Sequence, residues 1–435
     1  MSALEKAWFV LSVVALAFGY GYACHAWELF PHSHVQRAWL QAKRVSLFSE
    51  PEDATFLESR VYDRSGAFIR DSSDMQSGLT LITSTWSGSE GFRLINARGQ
   101  PVHEWEVDRD EIFPDPAQRG AYANERVIHG THLLPNGDVV FNVEYIGTAR
   151  VDACGDLLWK SVNGNHHSVE RAKDGSFWTP SVSKTPRQSS KRYPEGYPGL
   201  NKPVWIDYAL RLSETGDVLE RINILDVIYD SELSRYIAKQ VPHVQKDLSH
   251  MNDVEPLSPA LANEYPLFEE GDLLVSLRNL NLVFVFDPET LEVKWHAQDP
   301  FVQQHDPDFV GEGWITVFDN NRPWTDAKGS RILRFRPHSD SLQLQFPTAP
   351  SDTFYTPKRG KMQRLANDNL LLTESQRGRL LEVTPDGRVV WEWIHAPRDE
   401  SMVAAVTNGT RHQLTTEDIA SWPCSSVDSL SSPSL

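Results

Sequence analysis

The amino-acid sequence predicts an all-β fold, a six-bladed β-propeller, with an N-terminal membrane-spanning helix. Three observations lead to this prediction. A unit of two hairpins recurs about six times, apolar runs of strand length alternate with tight-turn sequences, and a long uncharged segment lies near the N-terminus. The composition agrees, because 40% hydrophobic residues, 14 tryptophans and 19 phenylalanines suffice for a large β-structured core.

The N-terminal segment is the first element in the chain. From Ala7 to Cys24 it carries no charge, and as a helix it would span roughly 27 Å, enough for a bilayer core. A cleaved signal peptide is the alternative, but Lys6 is offset by Glu5 and no clean small-x-small cleavage site follows. Residues 1–25 are therefore predicted as a transmembrane anchor or signal segment, whose orientation the flanking charges leave open.

The repeated unit begins near Gly78. Its apolar runs flank the turn sequences NGD, KDG, ARG and PDG, in which Gly, Asn and Asp accept the positive φ of tight turns. Each unit would form a four-stranded antiparallel sheet, and radial repetition of such sheets is a propeller, whereas a sandwich gives no reason for the repeat. The predicted units are 78–107, 129–162, 166–222, 250–297, 305–346 and 361–395.

These units define the predicted domains. After the N-terminal segment come a connector (26–77), a six-bladed catalytic propeller (78–397) and a partly disordered C-terminal tail (398–435). Two insertions interrupt the pattern, a Pro- and Gly-rich loop at 183–203 and an inserted helix within 223–249. Insertions of this kind usually decorate one face of a propeller, often the substrate face.

Charge and cysteines restrict the function. A net charge of -17 argues against a nucleic-acid partner, although an anionic small molecule fits if the site is locally positive. The three cysteines have no C-x-x-C spacing, which argues against structural zinc. Cys154 and Cys424 either pair in an oxidising compartment or remain buried thiols.

Polar residues recur at the ends of predicted inner strands. Because the first strand of each unit lines the central channel, histidines at its start should converge on one mouth of that channel, as in a small-molecule site. These histidines are His129 or His132, His167, His250 and His305. The strand ends add Glu144, Arg278 with Asn279, Asp319 with Asn320, and Glu374.

Four motifs in this region resemble the arylsulfotransferase (arylsulfate sulfotransferase) family. They are S-H-x-N-D at 249–253, S-x-R-N at 276–279, Q-H-D at 304–306 and F-D-N at 318–320. The resemblance extends more loosely over 78–395. It implies a six-bladed propeller enzyme that moves a sulfuryl group from an aryl sulfate to a phenolic or other hydroxyl acceptor, without a nucleotide sulfate donor and with no cofactor or metal.

The resemblance also implies residue roles. A histidine attacks the sulfur of the aryl sulfate and holds the sulfuryl group covalently until the acceptor takes it. By motif, His305 matches this nucleophile, and His250 and Arg278 match its partners. One of His166 and His167 matches the remaining histidine, and His167 is favoured because adjacent side chains of an extended segment point in opposite directions.

Physical chemistry is compatible with these roles. A neutral imidazole is a nucleophile near neutral pH, and Asp306 or Asp319 could hydrogen-bond the other ring nitrogen of His305. The rigid donor fork of Arg278 suits sulfuryl oxygens, and either of the other histidines can protonate a phenolate leaving group.

The remaining site residues are assigned by position. Predicted substrate-binding residues are Asn252, Asn279, Asn320 and His166, and predicted supporting residues are Asp253, Asp306 and Asp319. Asp253 and Asp319 could equally cap turns between blades, and Glu374 is interpreted as structural.

Two other functions remain open at this point. A metal-dependent propeller lyase or hydrolase would use the histidines as ligands, and a non-catalytic, membrane-tethered propeller would bind proteins or glycans. The expected partners are an aryl sulfate, a hydroxyl acceptor and the membrane, with the propeller in the periplasm or outside the cell; the oligomeric state is left open.

Overall fold

The computed structural model describes residues 2–26, 57–86, 89–115, 127–240, 246–321, 329–349 and 354–424. The chain divides into two compact units, 1–55 and 56–435. In the first unit a helix spans Ala3–Ala26, and its segment Leu4–Tyr22 is long and apolar enough to cross a membrane, a criterion that a signal sequence also meets. Most of the predicted connector, 27–56, lies outside the described residues.

The second unit is the predicted six-bladed propeller, built from six antiparallel sheets. The innermost strands of the blades contact one another around the central channel. From the inner strand outward, blade 1 comprises Val406–His412, Leu79–Trp86, Ser89–Ile95 and Pro101–Glu106. Blade 2 comprises Ile128–Leu133, Val139–Val143, Gly147–Val151 and Leu157–Ser161. Blade 3 comprises Glu170–Arg171, Phe177–Val182, Asp207–Leu212 and Val218–Asn223.

The other three blades follow in chain order. Blade 4 comprises Met251–Pro256, Leu273–Leu277, Leu282–Phe286 and Val293–Ala297. Blade 5 comprises His305–Phe309, Ile315–Asp319, Arg331–Arg336 and Ser341–Phe346. Blade 6 comprises Lys361–Arg364, Leu370–Glu374, Arg379–Val383 and Val389–Ile394, with Gly66–Ile69 as a fifth, outer strand.

Both predicted ends of the propeller need correction. The strand Val406–His412, within the predicted tail, is the inner strand of blade 1, so the ring closes with strands from both ends of the domain. Residues 57–59 and 66–69, within the predicted connector, also pair with strands of the second unit. The closing strand was missed because it reads VTNGTRH and lacks the apolar alternation that marks a strand. Residues 425–435 lie outside the described residues.

Aromatic residues fill the spaces between blades. Phe92 of blade 1 packs on Phe141 of blade 2 with 5.1 Å between ring centroids. Trp391 of blade 6 is fully buried and donates its indole N–H to the carbonyl oxygen of Ala97, at 2.8 Å. Each blade therefore stabilises its neighbours by burial of large apolar surfaces.

Local signals explain the turns and short helices. Gly137 and Gly387, in the NGD and PDG turns, have φ of 89° and 88°, as the turn chemistry requires. The second insertion, predicted to contain one helix, contains two, Ile224–Tyr229 and Ser234–Gln240. Two further short helices span Arg109–Ile112 and Thr416–Ala420.

A disulfide joins Cys154 of blade 2 to Cys424, across a sequence separation of 270 residues. The sequence had left this pairing open. Next to it, Trp422 lies 6.0 Å from Trp105 between ring centroids, and its indole donates to the carbonyl oxygen of Pro135. The bond therefore ties the C-terminal segment to the blades it packs against.

Replacing Cys424 by serine is expected to lower the free energy of unfolding by about 2–4 kcal/mol, because the cross-link restricts a long loop in the unfolded chain. Urea unfolding of the full-length protein in detergent solution measures this change. A reductant should lower the stability of the parent protein to that of the variant and leave the variant unchanged. Equal stability of the parent protein and the variant in the absence of reductant would contradict the prediction.

Candidate active site

Four histidines meet at one mouth of the central channel. The ring centroid of His167 lies 4.9 Å from that of His129, 5.3 Å from His250 and 6.2 Å from His305. His129, His167 and His305 are buried. The structure thus brings together residues of blades 2 to 5 that the sequence placed at the starts of inner strands.

Irregular backbone at the strand starts aims these side chains. His167 and His250 have φ of 56° and 51°, in the left-handed region that non-glycine residues seldom adopt. The ladder register shifts between His129 and Thr131 and between His305 and Asp308. Such bulges redirect side chains and are frequent beside active sites.

The surroundings of His305 determine which ring nitrogen carries its proton. Nδ1 lies 3.1 Å from the carbonyl oxygen of Gln303 and 2.6 Å from Oδ1 of Asn320. Because a carbonyl oxygen only accepts, Nδ1 must be the donor, and Nε2 carries the lone pair in the neutral ring. Burial, the charge of Arg278 and the neighbouring His167 hold the pKa of His305 well below its usual range.

The amide of Asn320 is itself oriented by the backbone. Its Nδ2 donates to the carbonyl oxygens of Thr356, at 2.8 Å, and Arg359, at 2.6 Å, so that Oδ1 faces His305. Both amide hydrogens of Asn320, which was predicted to bind substrate, are therefore directed to backbone carbonyl oxygens, and its amide oxygen contacts His305.

The carboxylates predicted to orient His305 contact other groups. Asp306 pairs with Lys361 and accepts the backbone N–H of Met362, at 2.6 Å. Asp319 pairs with Arg331 and accepts the backbone N–H of Val302, at 2.7 Å. The prediction that Asp306 or Asp319 hydrogen-bonds the second ring nitrogen of His305 is therefore wrong.

Glu144, which the sequence placed among the strand ends near the channel mouth without assigning it a role, bridges two of the histidines. Its carboxylate oxygens lie 3.0 Å from Nδ1 of His129 and 2.9 Å from Nδ1 of His167. Burial alone would raise the pKa of Glu144, yet the two histidines hold it well below its usual range. The signal in the sequence was its place at the end of the strand that follows His129.

His166 and His167 occupy different surroundings. Burial lowers the pKa of His167 to about 4, against the opposing effect of Glu144. His166 packs on Tyr145 with 4.8 Å between centroids, and its Nδ1 lies 2.8 Å from Nδ1 of His167. His167 is the member of the pair that lies against His250 and His305.

Arg278 lies on a turn that is tied to the segment before His250. Its backbone N–H donates to the carbonyl oxygen of His250, at 3.1 Å, and the N–H of Asn279 donates to Ser249. Two guanidinium nitrogens contact neutral amide oxygens, of Asn279 at 3.2 Å and of Gln303 at 3.3 Å. His250 in turn has Nδ1 2.6 Å from Oδ2 of Asp247.

The other predicted amides face backbone groups. Asn252 donates to the carbonyl oxygen of Gln304, at 2.8 Å, and Asn279 donates to that of Asp247, at 2.9 Å. The side-chain amide groups of Asn252 and Asn279, which were predicted to bind substrate, therefore donate hydrogen bonds to the backbone. Asp253 lies deeper in the channel, with Oδ1 3.8 Å from Nζ of Lys361.

Two residues considered from the sequence lie away from this mouth or have structural contacts. His132 faces the opposite end of the channel. Glu374 pairs with Arg377 and Arg379, as expected for a structural role.

Among the described residues, one group of three side chains has the spacing of a metal site: His129, Glu144 and His167. The ligand atoms lie within 4.8 Å of one another. In the structure, however, each histidine directs Nδ1 to one oxygen of Glu144. A metal ion bound there would have to replace both of these hydrogen bonds.

Comparisons with known proteins give one family. A family model described as arylsulfotransferase (ASST) matches residues 130–396. No curated protein matches the chain.

The solved structures that match the chain share little sequence with it. A protein of unknown function from Bacteroides caccae is 12% identical, with a TM-score of 0.49, covering 77% of this chain and 98% of its own. Virginiamycin B lyase from Staphylococcus aureus is 9% identical, with a TM-score of 0.39, covering 83% and 91%. TolB from Acinetobacter baumannii is 10% identical, with a TM-score of 0.41, covering 76% and 66%.

Proposed function

The chain belongs to the arylsulfotransferase family, and from this membership we propose that it transfers a sulfuryl group from an aryl sulfate to a phenolic or other hydroxyl acceptor. The transfer passes through a covalent sulfohistidine at His305 and needs no nucleotide sulfate donor. The single observation that carries this assignment is the hydrogen bonding of His305, which leaves the Nε2 lone pair available at the channel mouth.

The first half-reaction forms the sulfohistidine. The Nε2 lone pair of His305 forms a bond to sulfur while the bond from sulfur to the aryl oxygen breaks, and the aryl oxygen keeps that electron pair. The ring then carries a positive charge. The carbonyl oxygen of Gln303 and Oδ1 of Asn320, both facing Nδ1–H, stabilise that charge.

The departing phenolate takes a proton from His250. The carboxylate of Asp247, 2.6 Å from Nδ1, would orient the ring of His250 so that its Nε2–H is the donor. His167 suits the second half-reaction, since its lowered pKa of about 4 keeps it neutral and able to accept the proton of the incoming hydroxyl. The acceptor oxygen then bonds to sulfur as the bond to Nε2 breaks, which restores neutral His305. His167 releases its proton to water and His250 takes one up, which completes the cycle.

Arg278 binds the sulfuryl oxygens. Its guanidinium contacts neutral amide oxygens on two sides, and its charge acts on His305, as the lowered pKa of that residue indicates. A fork of N–H donors beside the nucleophile can contact two sulfuryl oxygens while charge moves to the leaving group.

The propeller is proposed to work outside the cytoplasm, held by the N-terminal helix. The apolar segment Leu4–Tyr22 supplies either an anchor or an export signal. The disulfide between Cys154 and Cys424 supports this compartment, because such bonds persist in oxidising environments.

Exposure to a chromogenic aryl sulfate without acceptor is expected to add one sulfuryl group to the protein, located on His305. Intact-mass analysis detects the adduct, and peptide mapping under non-acidic conditions locates it. Addition of a phenol should remove the adduct with formation of the aryl sulfate of that phenol. Turnover with no covalent adduct under rapid quench would overturn the proposed intermediate.

The lowered pKa of His305 predicts activity on the acid side of neutrality. The neutral ring is the nucleophile, and an ordinary histidine becomes charged near pH about 6.5. Because the pKa of His305 is lower, protonation of His305 should not reduce kcat/KM for the aryl sulfate at that pH. Asn320→Asp places a carboxylate against Nδ1, raises this pKa and should move the acid limb upward by about 1–3 pH units. The exposed Asn201→Asp is the control, and superimposable profiles for all three proteins would contradict the prediction.

A further inference from the structure

The opposite end of the channel holds a separate cavity of about 740 Å³. The inner strands that begin with His167, His250 and His305 continue into it and present carboxylates there. These carboxylates belong to Glu170, Glu255, Asp306 and Asp308. A fifth, that of Asp253, is buried beside them.

The charge of this cavity is unbalanced. Lys361 is the lysine that faces the five carboxylates, and it pairs with Asp306 and lies 3.8 Å from Asp253. Two arginines also line the cavity, but each has an acidic partner: Arg411 pairs with Glu382 and Arg364 with Asp368. Acidic groups therefore outnumber the cations that face them.

Two buried oxygen atoms, one in the lining of the cavity and one beside it, lack a hydrogen-bond partner among the described residues. One is Oδ1 of Asp253, which is 1% exposed. The other is Oδ1 of Asn408, a lining residue that is 4% exposed and whose Nδ2 donates to the backbone and side-chain oxygens of Thr131. Buried acceptors of this kind require a donor, since an unsatisfied polar atom is costly.

The arrangement favours an organic cation over a metal ion. Within the described part of the chain, the acidic groups of this cavity are not gathered within 4.8 Å as a metal site requires, unlike the histidine cluster at the other mouth. Apolar side chains, including Val169, Phe309 and Met362, complete the wall. The size and the mixed lining are those of a pocket for a small organic molecule.

We propose that this cavity binds a small organic amine, whose ammonium groups contact the carboxylates of Glu170, Glu255 and Asp308 and the unsatisfied oxygen of Asn408. This site is independent of the sulfuryl-transfer reaction.

The protonation of the carboxyls supports a pH-dependent site. Burial raises the pKa of Glu170 to about 8 and that of Asp253 to about 7, and burial raises the pKa values of Glu255 and Asp308 well above their usual range. Below these values the carboxyls are protonated, so an ammonium ligand must displace protons, and binding strengthens as pH rises. The other titratable groups that face the cluster or line its cavity are Asp306, Asp368, Lys361, His132, His412, Arg364 and Arg411. Burial lowers the pKa of His132 and of His412 to about 4, so neither changes its charge in this range.

Calorimetric titration of the full-length protein in detergent with 1,4-diaminobutane tests the proposal. Saturable one-site binding is expected, with heats that depend on the buffer because protons are released. Affinity should rise by at least about tenfold between pH about 6 and about 8.5. 1,4-Butanediol, which has the same length and no charge, should not bind.

The double variant Glu170→Gln/Asp308→Asn should weaken diamine binding by at least about tenfold. The exposed Glu270→Gln removes one carboxylate elsewhere and should bind as the parent protein does. Retained aryl sulfate turnover shows that the double variant is folded. If the double variant does not fold, the comparison of 1,4-diaminobutane with 1,4-butanediol on the parent protein tests the proposal. Absence of diamine binding, equal binding of the diol, or displacement of the diamine by Ca²⁺ at an equal concentration would each overturn the proposal.

Discussion

Replacing His305 by asparagine is expected to abolish the sulfuryl adduct and to lower kcat by at least about 10⁴-fold. Asparagine is polar and of similar size, but its side chain offers no basic nitrogen where Nε2 now lies. The network around Asn320 and Gln303 keeps a polar neighbour, so the fold should persist. Single-turnover kinetics with a chromogenic aryl sulfate, together with intact-mass analysis, measure both effects.

His338→Asn is the matched control for this experiment. His338 is exposed on a turn after the third strand of blade 5, away from the histidine mouth, and its replacement should leave kcat unchanged. Thermal unfolding should be similar for the two variants and the parent protein. Full turnover by a folded His305→Asn protein would refute the nucleophilic role.

Replacing Arg278 by lysine is expected to lower kcat by about 10²–10³-fold and to change KM far less. Lysine keeps the positive charge but provides a point charge instead of a planar fork, so it cannot contact two sulfuryl oxygens while also bonding Asn279 and Gln303. The loss should be in kcat because the fork stabilises the charge that develops during transfer. Steady-state kinetics for the aryl sulfate separate the two constants.

Arg98→Lys, an exposed arginine on a blade 1 turn, controls for the exchange itself and should have no effect. If Arg278→Lys raises KM and leaves kcat unchanged, Arg278 binds the ground state only, and its proposed role in the transition state is wrong.

The six-bladed fold could be predicted from the sequence because it is periodic. The predicted unit 250–297 and the observed blade 4, from Met251 to Ala297, nearly coincide. Turn residues with positive φ and apolar runs of strand length are local properties, so they are visible without tertiary structure. The closing strand Val406–His412 was missed for the opposite reason, since its polar residues form a strand only beside Leu79–Trp86.

The candidate site also has features that the sequence predicts and features that only the tertiary structure shows. The sequence by itself determined which side chains open the inner strands, including His167, His250 and His305, and it placed Arg278 at a strand end. Tertiary structure alone decided their partners. Asn320 instead of a carboxylate faces His305 because Thr356 and Arg359, in the segment that precedes blade 6, hold its amide in one orientation.

The same limit applies to contacts that join distant parts of the chain. Glu144 bridges His129 and His167 from neighbouring blades, and Cys154 meets Cys424 across 270 residues. Residue type and spacing along a strand set which face a side chain takes, so the sequence determines the channel-facing histidines. Which groups then meet in the channel depends on how the ring closes and where its bulges fall, and only the folded structure contains that information.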